Sequence, residues 1–363
     1  MKRLIPLFCA LMMLLTGCGS MLERDYVSST RHVEYPVNAD LSILQAESYQ
    51  GLVSALLYFV AEHAETGVVH LTNYFGNVGK DLDAACAEVM EQDPIGAYAL
   101  NSIEHRHTRI VSYYEVNLTF DYAHTPAELN SIITLRTASS LPSVLASSMT
   151  HFDESCVVSM NYFTGDEASL LTQVRQLWLD TPLASLGQPS IRVKLYPDSG
   201  VSRVAEFTFE WPEDPDDLSA RSSELRAAAQ RLLQDLNLPP EELTAETLLD
   251  ILPSRVSFDP EGGSTAYDAL VTGSANAQGL TMALRLLCQL SNAESTVVEG
   301  RKDGETAFWL IAATADGFRH LDPAARKSFC AVDEEFQSLG YEWSMERYPA
   351  CELPAPTDQP PLE

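Results

Sequence analysis

The sequence predicts an α+β protein of three units: two repeated small α/β sandwich domains followed by a larger α+β domain. Three observations predict this organisation. Motifs recur at a fixed offset in the first two-thirds of the chain, segments of helical and strand periodicity alternate, and the C-terminal third has a motif string of its own. The 363 residues are 45% apolar, which suffices for two or three packed domains.

The N-terminus has the composition of a secretory signal. Lys2 and Arg3 precede an apolar run that ends near Leu15, and a run of about a dozen residues is too short to span a bilayer permanently. The run leads into Leu15-Thr16-Gly17-Cys18, which resembles the lipobox of bacterial lipoproteins. The alternative is an ordinary signal peptide in which Cys18 is incidental.

The lipobox resemblance implies how the mature protein is attached to the membrane. Residues 1–17 would be the signal peptide that is removed, and Cys18 would carry lipid, such as palmitate, that anchors the chain without a spanning helix. Residues 18–45, which include several serines, would be a flexible spacer. We therefore expect an extracytoplasmic protein that is lipid-anchored at the cell membrane.

The net charge argues against nucleic-acid and anionic-lipid partners, and the cysteine spacing argues against a zinc site and a disulfide framework. The formal net charge is −28, so we expect the protein to be repelled by nucleic acid and by anionic lipid surfaces. The cysteines beyond Cys18 lack C-x-x-C spacing, which argues against a structural zinc site and a disulfide framework. Pairing of Cys330 with Cys351 is left open. We expect no metal and no other cofactor.

The duplication is predicted by motifs that return in the same order. The segment V-V-H-L-T-N-Y-F at 68–75 returns as V-V-S-M-N-Y-F at 157–163, and L-T-F-D-Y at 118–122 returns as F-T-F-E-W at 207–211. A third pair is T-P-A-E-L at 125–129 and D-P-D-D-L at 214–218. All three lie at offsets of 88 or 89 residues (73 to 161, 118 to 207, 125 to 214), which predicts an internal repeat over 46–130 and 131–235.

Each repeat is predicted to contain the same elements. A helix is followed by a strand ending in Asn-Tyr-Phe, a second helix, a turn with proline and a two-stranded antiparallel meander. The predicted helices cover 48–65, 79–91, 143–152 and 167–179, and the predicted meander strands cover 108–114, 114–122, 190–195 and 204–211.

Two features of the repeats could be functional sites, but each has a simpler interpretation. The Asn-Tyr-Phe segments at 73–75 and 161–163 could form a carbohydrate- or peptide-binding surface, although aromatic residues at strand ends more often belong to the core or an edge. His105-Arg106-His107 could be a metal patch. Without a nearby pair of carboxylates, it is more typical of a solvated loop.

The third unit begins after a long amphipathic helix. That helix is predicted over 218–238 and is stopped by Pro239-Pro240. The domain itself is predicted to span 240–350, with a disordered tail at 351–363. Its predicted elements are helices at 244–252 and 277–290 and antiparallel strands at 295–300, 307–314 and 318–321.

Three segments of this unit carry recognisable motifs: Y-D-A-L-V-T-G-S-A-N-A-Q-G-L at 267–280, E-T-A-F-W-L-I at 305–311 and D-G-F-R-H-L-D-P at 316–323. In this order and spacing they resemble the core of the bacterial transglutaminase-like superfamily. The resemblance implies a papain-like α+β fold in which a Cys–His–Asp triad attacks amides. It covers roughly 249–349, under a third of the chain.

Two of the three catalytic side chains implied by the resemblance are absent. The position of the nucleophile holds Ala277 and that of the base holds Ala307, whereas Asp322 stands where the family has its aspartate. A methyl group can neither ionise nor shuttle protons, and members of such a triad act as a unit. Without a histidine to orient, Asp322 has the alternative role of a turn residue at a strand end.

The sequence therefore favours a catalytically degenerate domain that acts as a binding or structural module. The candidate binding residues are Trp309, Tyr267 and Gln278. One alternative is an active cell-envelope protease or transamidase that uses residues outside the family positions. Another is capture, without turnover, of a polypeptide or cell-wall peptide in the former cleft.

Overall fold

The computed structural model describes residues 43–325 and 329–353. The protein is mixed α+β, with helices packed on separate β-sheets. The predicted signal peptide, Cys18, nearly all of the predicted spacer and most of the predicted tail lie outside the described residues. Over the residues that are described, no helix combines the length and the apolar character needed to cross a bilayer.

The first unit is a four-stranded sheet covered by helices. Its strand order is β1-β2-β4-β3, with β1 parallel to β2 and the remaining neighbours antiparallel. Alternate residues of β2 and β4 share one core with the apolar faces of α1 and α2. The elements are β1 (Ile43–Ala46), α1 (Tyr49–Ala61), β2 (Thr66–Thr72), α2 (Val78–Glu91), α3 (Pro94–Ala99), β3 (Leu100–Ile110) and β4 (Tyr113–Tyr122).

Two expectations for this unit are wrong. Ile43–Ala46, three residues of which were assigned to the spacer, form an edge strand with Leu44 and Ala46 buried. His105-Arg106-His107, expected in a loop, lies within β3, where His105 Nε2 is 3.0 Å from Asp83 Oδ1. A polar sequence is compatible with this strand because one face of an antiparallel sheet can remain solvated.

The second unit has the same sheet topology. Its strand order is β5-β6-β8-β7, again with the first two strands parallel and the others antiparallel. The helix α6 (Glu167–Leu179) has the predicted bounds. Asp166 and Ser169 form a capping box that fixes its start. The helix α4 (Pro126–Asn130) ends the first unit, and the elements of the second are β5 (Ile133–Thr134), α5 (Leu141–His151), β6 (Ser155–Met160), α6 (Glu167–Leu179), β7 (Ser190–Tyr196), β8 (Arg203–Glu210) and the long helix α7 (Pro215–Leu236).

The third unit is built on a five-stranded antiparallel sheet of order β14-β13-β12-β11-β15. A separate short parallel pair, β9 and β10, lies at the start of α9, which has the predicted bounds. The elements are α8 (Ala245–Ile251), β9 (Ser257–Gly263), a π-helical turn (Asp268–Thr272), β10 (Ser274–Ala275), α9 (Ala277–Leu290), β11 (Ser295–Lys302), β12 (Glu305–Thr314), β13 (Gly317–Asp322), β14 (Phe329–Ala331), α10 (Asp333–Ser338) and β15 (Tyr341–Glu342).

The two faces of this sheet belong to different cores. Val297, Leu310 and Leu321 share a core with α9. Trp309 and Phe336 lie in a second, largely aromatic cluster, which α10 and β15 complete. Because side chains alternate along a strand, neighbouring residues of β12 serve opposite faces.

The second and third units are joined through the carboxylate of Asp180, the residue that follows α6. It accepts the backbone N–H of Val297 at 2.7 Å and the hydroxyl of Thr296 at 2.9 Å, both in β11. The Nε of Arg285 in α9 lies 3.5 Å from the same carboxylate. Gln176 adds a hydrogen bond from its Nε2 to Val297 O at 2.8 Å. The end of α6 is thereby held against β11.

We predict that Asp180→Ala lowers the free energy of unfolding of the C-terminal unit by about 2 to 3 kcal/mol, because it removes charge-assisted hydrogen bonds and leaves partly buried donors unpaired. The midpoint of urea unfolding measures the effect. Asp198→Ala, in the exposed β7–β8 turn, is the matched control and should leave the midpoint unchanged. Equal midpoints for the two variants would contradict the role assigned to Asp180.

Candidate functional site

The start of α9 is fixed by its cap. Asn276 is the N-cap residue, and its side-chain oxygen accepts the N–H of Gly279 at 3.1 Å, while its carbonyl accepts the N–H of Leu280. Ala277 and Gln278 therefore occupy the first turn, where helix geometry supplies no acceptor for their own N–H groups. The predicted nucleophile position thus lies at the N-terminus of a 14-residue helix.

Small residues of the first motif have packing roles. Gly273 adopts a left-handed backbone with φ of 86°, which favours glycine. Ala275 is fully buried. A Cβ on Gly279 would lie 2.7 Å from the Ala275 Cβ and 2.8 Å from Gly263 O, so only glycine lets α9 approach β9 and β10 this closely. These constraints concern the scaffold and are independent of any chemistry.

Thr281 connects the first turn of α9 to β12. Its hydroxyl oxygen lies 2.9 Å from Ala277 O and 3.1 Å from Phe308 O. Phe308 directly follows Ala307 in β12. The Thr281 hydroxyl therefore lies close to the backbone at both alanine positions. Phe308 packs on the α9 side of the sheet, whereas Ala307 packs against the aromatic cluster on the opposite side. The structure therefore does not bring Ala277 and Ala307 together as a catalytic pair would require.

Ala307 and Asp322 belong to the aromatic face of the sheet. Ala307 packs against the cluster that contains Trp309 and Tyr341. Asp322, which is 6% exposed, reaches the same cluster through its hydrogen bond to Tyr341. The sheet thus places two of the three predicted triad positions on one face.

The carboxylate of Asp322 is already occupied. The Tyr341 hydroxyl donates to Oδ2 at 2.5 Å, and the Ala324 N–H donates to Oδ1 at 2.8 Å. Lys302 Nζ in turn donates to the Tyr341 oxygen at 2.6 Å. Burial, followed by the hydrogen bond and charge of Asp322, raises the pKa of Tyr341 well above its ordinary value. The phenol therefore stays neutral and acts as a donor to Asp322.

Trp309 and His320 form a closed polar pair. The Trp309 indole N–H donates to His320 Nδ1 at 2.9 Å, and His320 Nε2 lies 2.7 Å from Asp333 Oδ1. An indole N–H can only donate, so Nδ1 is the acceptor and the ring proton sits on Nε2. Burial lowers the pKa of His320, an effect that Asp333 opposes. Both ring nitrogens of a fully buried imidazole are thus engaged.

Cys351 lies beside this pair. Three potential ligand atoms, one each from His320, Asp333 and Cys351, lie within 4.8 Å of one another. This set of residues resembles a Cys–His–Asp triad or a metal site. Burial and the charge of Asp333 raise the pKa of the Cys351 thiol to about 12. A nucleophile or a metal would need a thiolate and a free imidazole lone pair. Trp309 already uses that lone pair, so the arrangement fits a structural network.

A cavity opens at the start of α9, between the second and third units. Its volume is about 460 Å³. Larger hollows, of about 600 Å³ beside β7 and about 820 Å³ beside the end of α7, lie away from the motif residues. The cavity is lined by Arg175, Trp178, Leu179, Gln188, Pro189, Ser190, Ile191, Gln278, Glu299 and Phe308.

Only one of the three predicted binding residues lines this cavity. Gln278 does so. Trp309 is fully buried, so the expectation that it contacts a ligand is wrong; its ring fills the aromatic cluster. Tyr267 donates its hydroxyl to Glu224 at 2.6 Å, and the Arg221 guanidinium lies 4.8 Å from its ring centroid. Tyr267 therefore contacts α7, and the structure does not bring it into the cavity.

Sequence reasoning missed Trp178. Its helical spacing indicates a core residue, and it is 9% exposed, but its ring also lines the cavity. Its indole Nε1 is buried and finds no hydrogen-bond partner among the described residues. No local signal could have placed it near Gln278, because the two residues meet only through the packing of α6 on β11.

The cysteines give a prediction that tests this account of burial. We expect one thiol of a protein beginning at Gly19 to react with a disulfide reagent at pH 8, because Cys330 is exposed and the other four cysteines of the described chain are buried. Burial raises the pKa of Cys86 and Cys288 to about 11. Spectrophotometric thiol counting before and after unfolding measures this. Cys330→Ser should reduce the native count to zero; a reactive Cys351 would contradict the closed network.

Solved structures that resemble this chain include two distant neighbours. No protein-family model matches the chain, and no curated protein matches it. A crystal structure of a TGase matches over 58% of this chain and 72% of that chain, at 8% identity and a TM-score of 0.25. A protein proposed to be a protease, from Parabacteroides distasonis ATCC 8503, matches over 73% of this chain and 44% of that chain, at 9% identity and a TM-score of 0.20. Scores this low carry no inference about what this chain binds or catalyses.

Proposed function

We propose that the protein is an extracytoplasmic lipoprotein whose C-terminal, transglutaminase-like domain binds a ligand and does not catalyse amide chemistry. One observation carries the proposal. Two motif positions hold methyl groups, Ala277 and Ala307, while the remaining carboxylate, Asp322, is bonded to the Tyr341 hydroxyl and to a backbone N–H.

The chemistry of amide attack explains why this matters. The reaction needs a nucleophile activated by a neighbouring base, and the base must be oriented by a third group. Ala277 supplies no nucleophile. Asp322 has a phenol as its partner, and that phenol is held neutral by its raised pKa. This supports a structural role for Asp322, in which it links β13 to β15 beneath the aromatic cluster.

The alternative, an enzyme with residues recruited from elsewhere, would need a thiol or hydroxyl beside a free histidine. His320 with Cys351 is the arrangement among the described residues that comes nearest to this requirement. Trp309 and Asp333 occupy both nitrogens of His320, and the Cys351 thiol is 1% exposed. A substrate carbonyl could not reach that sulfur without opening the core.

Capture of a ligand without turnover is consistent with the cavity at the start of α9. Ala277 and Ala307 do not line this cavity themselves, and Ala307 packs on the aromatic face of the sheet. Gln278 and Phe308, each the neighbour of one alanine position, line the cavity. We place the ligand there, and its polypeptide or cell-wall peptide nature is part of the proposal.

We also infer that the first two units arose by duplication. The motif pairs found in the sequence fall in sheets of the same strand order and the same pattern of parallel and antiparallel neighbours. Each sheet has its repeated strands, β2 with β4 and β6 with β8, at its centre.

We predict that the purified mature protein neither hydrolyses a glutamine-containing peptide nor joins it to a primary amine above the uncatalysed rate, because Ala277 supplies no nucleophile and the residues that the structure describes offer no thiol or hydroxyl beside a free histidine. Release of ammonia and mass spectrometry of the peptide measure both reactions. Activity in the unaltered protein that is lost in Asp322→Asn would contradict the proposal.

A back-substitution is the positive control for the motif assignment. The motif assignment requires the new thiol of Ala277→Cys combined with Ala307→His to react with iodoacetamide well below pH 8 and faster than that of Ala277→Cys alone, because the helix N-terminus and the restored imidazole would lower its pKa. Ala307 packs on the face of the sheet opposite α9, so we expect equal rates, and the assignment of Ala307 as the position of the base then fails. A faster reaction of the double variant would support that assignment.

The lipid anchor has its own test. In cells fed an alkyne-labelled palmitate, the unaltered protein should carry the label and sediment with membranes, because the sequence ending in Cys18 resembles a lipobox. Cys18→Ser should abolish both properties, while Cys330→Ser, the control, should keep them. Label that persists in Cys18→Ser would contradict lipidation at this residue.

A further inference from the structure

We propose that the edge strand β3 pairs antiparallel with β3 of a second copy of this chain, so that the two four-stranded sheets join across a two-fold axis at His105. The inference goes beyond the proposed function and does not depend on it. It is carried by the free edge of β3, by the charges along this strand and by a contrast with the same edge of the second unit.

β3 is the longest edge strand among the described residues. It pairs with β4 on one side and lies at the end of its sheet. It has 11 residues, whereas the other edge strands that the structure describes have seven or fewer. An edge strand carries a row of unpaired N–H and C=O groups that can pair with a strand of another chain, and short edge strands are one way to limit this. The side chains from Arg106 to Arg109 are exposed, so this edge is open to a partner.

The same edge of the second unit is protected, although the two sheets have the same strand order. There the Leu195 N–H of β7 donates to Glu167 Oε1 at 3.0 Å, and Glu167 is the first residue of α6. The corresponding helix of the first unit, α2, begins with Val78, whose side chain cannot accept a hydrogen bond. The first unit therefore has no counterpart of Glu167 at this position to cover the edge of β3.

Glu104 and Arg106 lie on the face of the sheet that the helices leave open. In the register with β4, Glu104 lies opposite Thr119 and Arg106 lies opposite Asn117, and all four residues are exposed. A two-fold axis perpendicular to the sheet keeps the open faces of both copies on the same side, so each cross-strand pair joins residues of one face. The charges of β3 in one copy therefore lie beside those in the other.

These charges select one register. With the axis at His105, Glu104 of each copy lies directly opposite Arg106 of the other, and Ser102 lies opposite Thr108. Moving the axis by one residue along the strand would place Glu104 opposite Glu104, or Arg106 opposite Arg106. Opposite charges across antiparallel strands are stabilising and like charges are destabilising. The pair of Glu104 with Arg106 occurs on both sides of the axis, so its effect on the register is doubled.

The pairing is short, and we expect a dimer in equilibrium with the monomer. The register of β3 with β4 shifts between Leu100 and Ser102, which confines regular pairing with a second copy to Ser102 through Thr108. Pairing of these segments would form about six backbone hydrogen bonds. The net charge of −28 on each copy opposes association. A dimer must therefore come from a specific contact and not from general attraction.

Sedimentation velocity of the protein beginning at Gly19, at concentrations from micromolar to millimolar, tests the inference. The unaltered protein should show a monomer–dimer equilibrium. Glu104→Arg should weaken dimerisation by at least about 10-fold, because it places two arginines opposite each other on both sides of the axis. Its smaller net charge would by itself favour association, so weakening identifies the specific contact. Glu104→Arg combined with Arg106→Glu should restore the affinity of the unaltered protein, because both pairs are then opposite in charge again.

Glu210→Arg is the matched control. It makes the same change of net charge on β8 of the second unit, where Glu210 Oε1 lies 2.6 Å from Arg192 Nη2, and it should dimerise at least as tightly as the unaltered protein. A protein that stays monomeric at every concentration would overturn the inference and would leave the β3 edge to a strand of a different protein. Unchanged dimerisation in Glu104→Arg, no recovery in the double variant, or weaker dimerisation in the control would also overturn it.

Discussion

The carboxylate of Asp180 is the contact on which the arrangement of the second and third units depends. It terminates α6 and receives donors from β11 and α9, the two elements of the C-terminal unit nearest the cavity. A negative charge at the C-terminus of a helix is locally unfavourable, because that end already carries partial negative charge. The presence of an aspartate at this position is therefore explained by its contacts with β11 and α9, because it does not stabilise α6 itself. Without that contact, Trp178 and Gln278 would not line the same cavity.

The aromatic face of the C-terminal sheet shows how motif residues can be retained for packing. Trp309, His320 and Asp333 form one hydrogen-bonded series, and Lys302, Tyr341 and Asp322 form another. The donors and acceptors satisfy one another where the series pass through the buried cluster, in which an unpaired polar group would be costly. Such closed networks hold α10 and β15 on the sheet. Both nitrogens of His320 are engaged in these networks, which supports the proposal that the domain binds and does not catalyse.

Much of the local structure follows from the sequence. The bounds of α6 and α9 agree with the spacing of apolar residues, and β4, β7 and β8 fall close to their predicted positions, because apolar periodicity and caps are local properties. The prediction for β3 is wrong: the strand covers Leu100–Ile110 and was expected at 108–114. The short edge strands β1 and β5 were not predicted, since two to four residues carry too little periodicity. His105-Arg106-His107 was misassigned because the exposed face of a strand tolerates the same polar residues as a loop.

The sequence by itself determined the motif string, the alanines within it and the elements that carry it, because residue identity and local periodicity are written along the chain. Only the tertiary structure decided which side chains are accessible. It buried Trp309, turned Tyr267 toward α7 and brought Trp178 beside Gln278, some hundred residues further along the chain. The physical reason is that burial and hydrogen-bond partners depend on contacts between distant segments, and no local pattern encodes which face of one element meets which face of another.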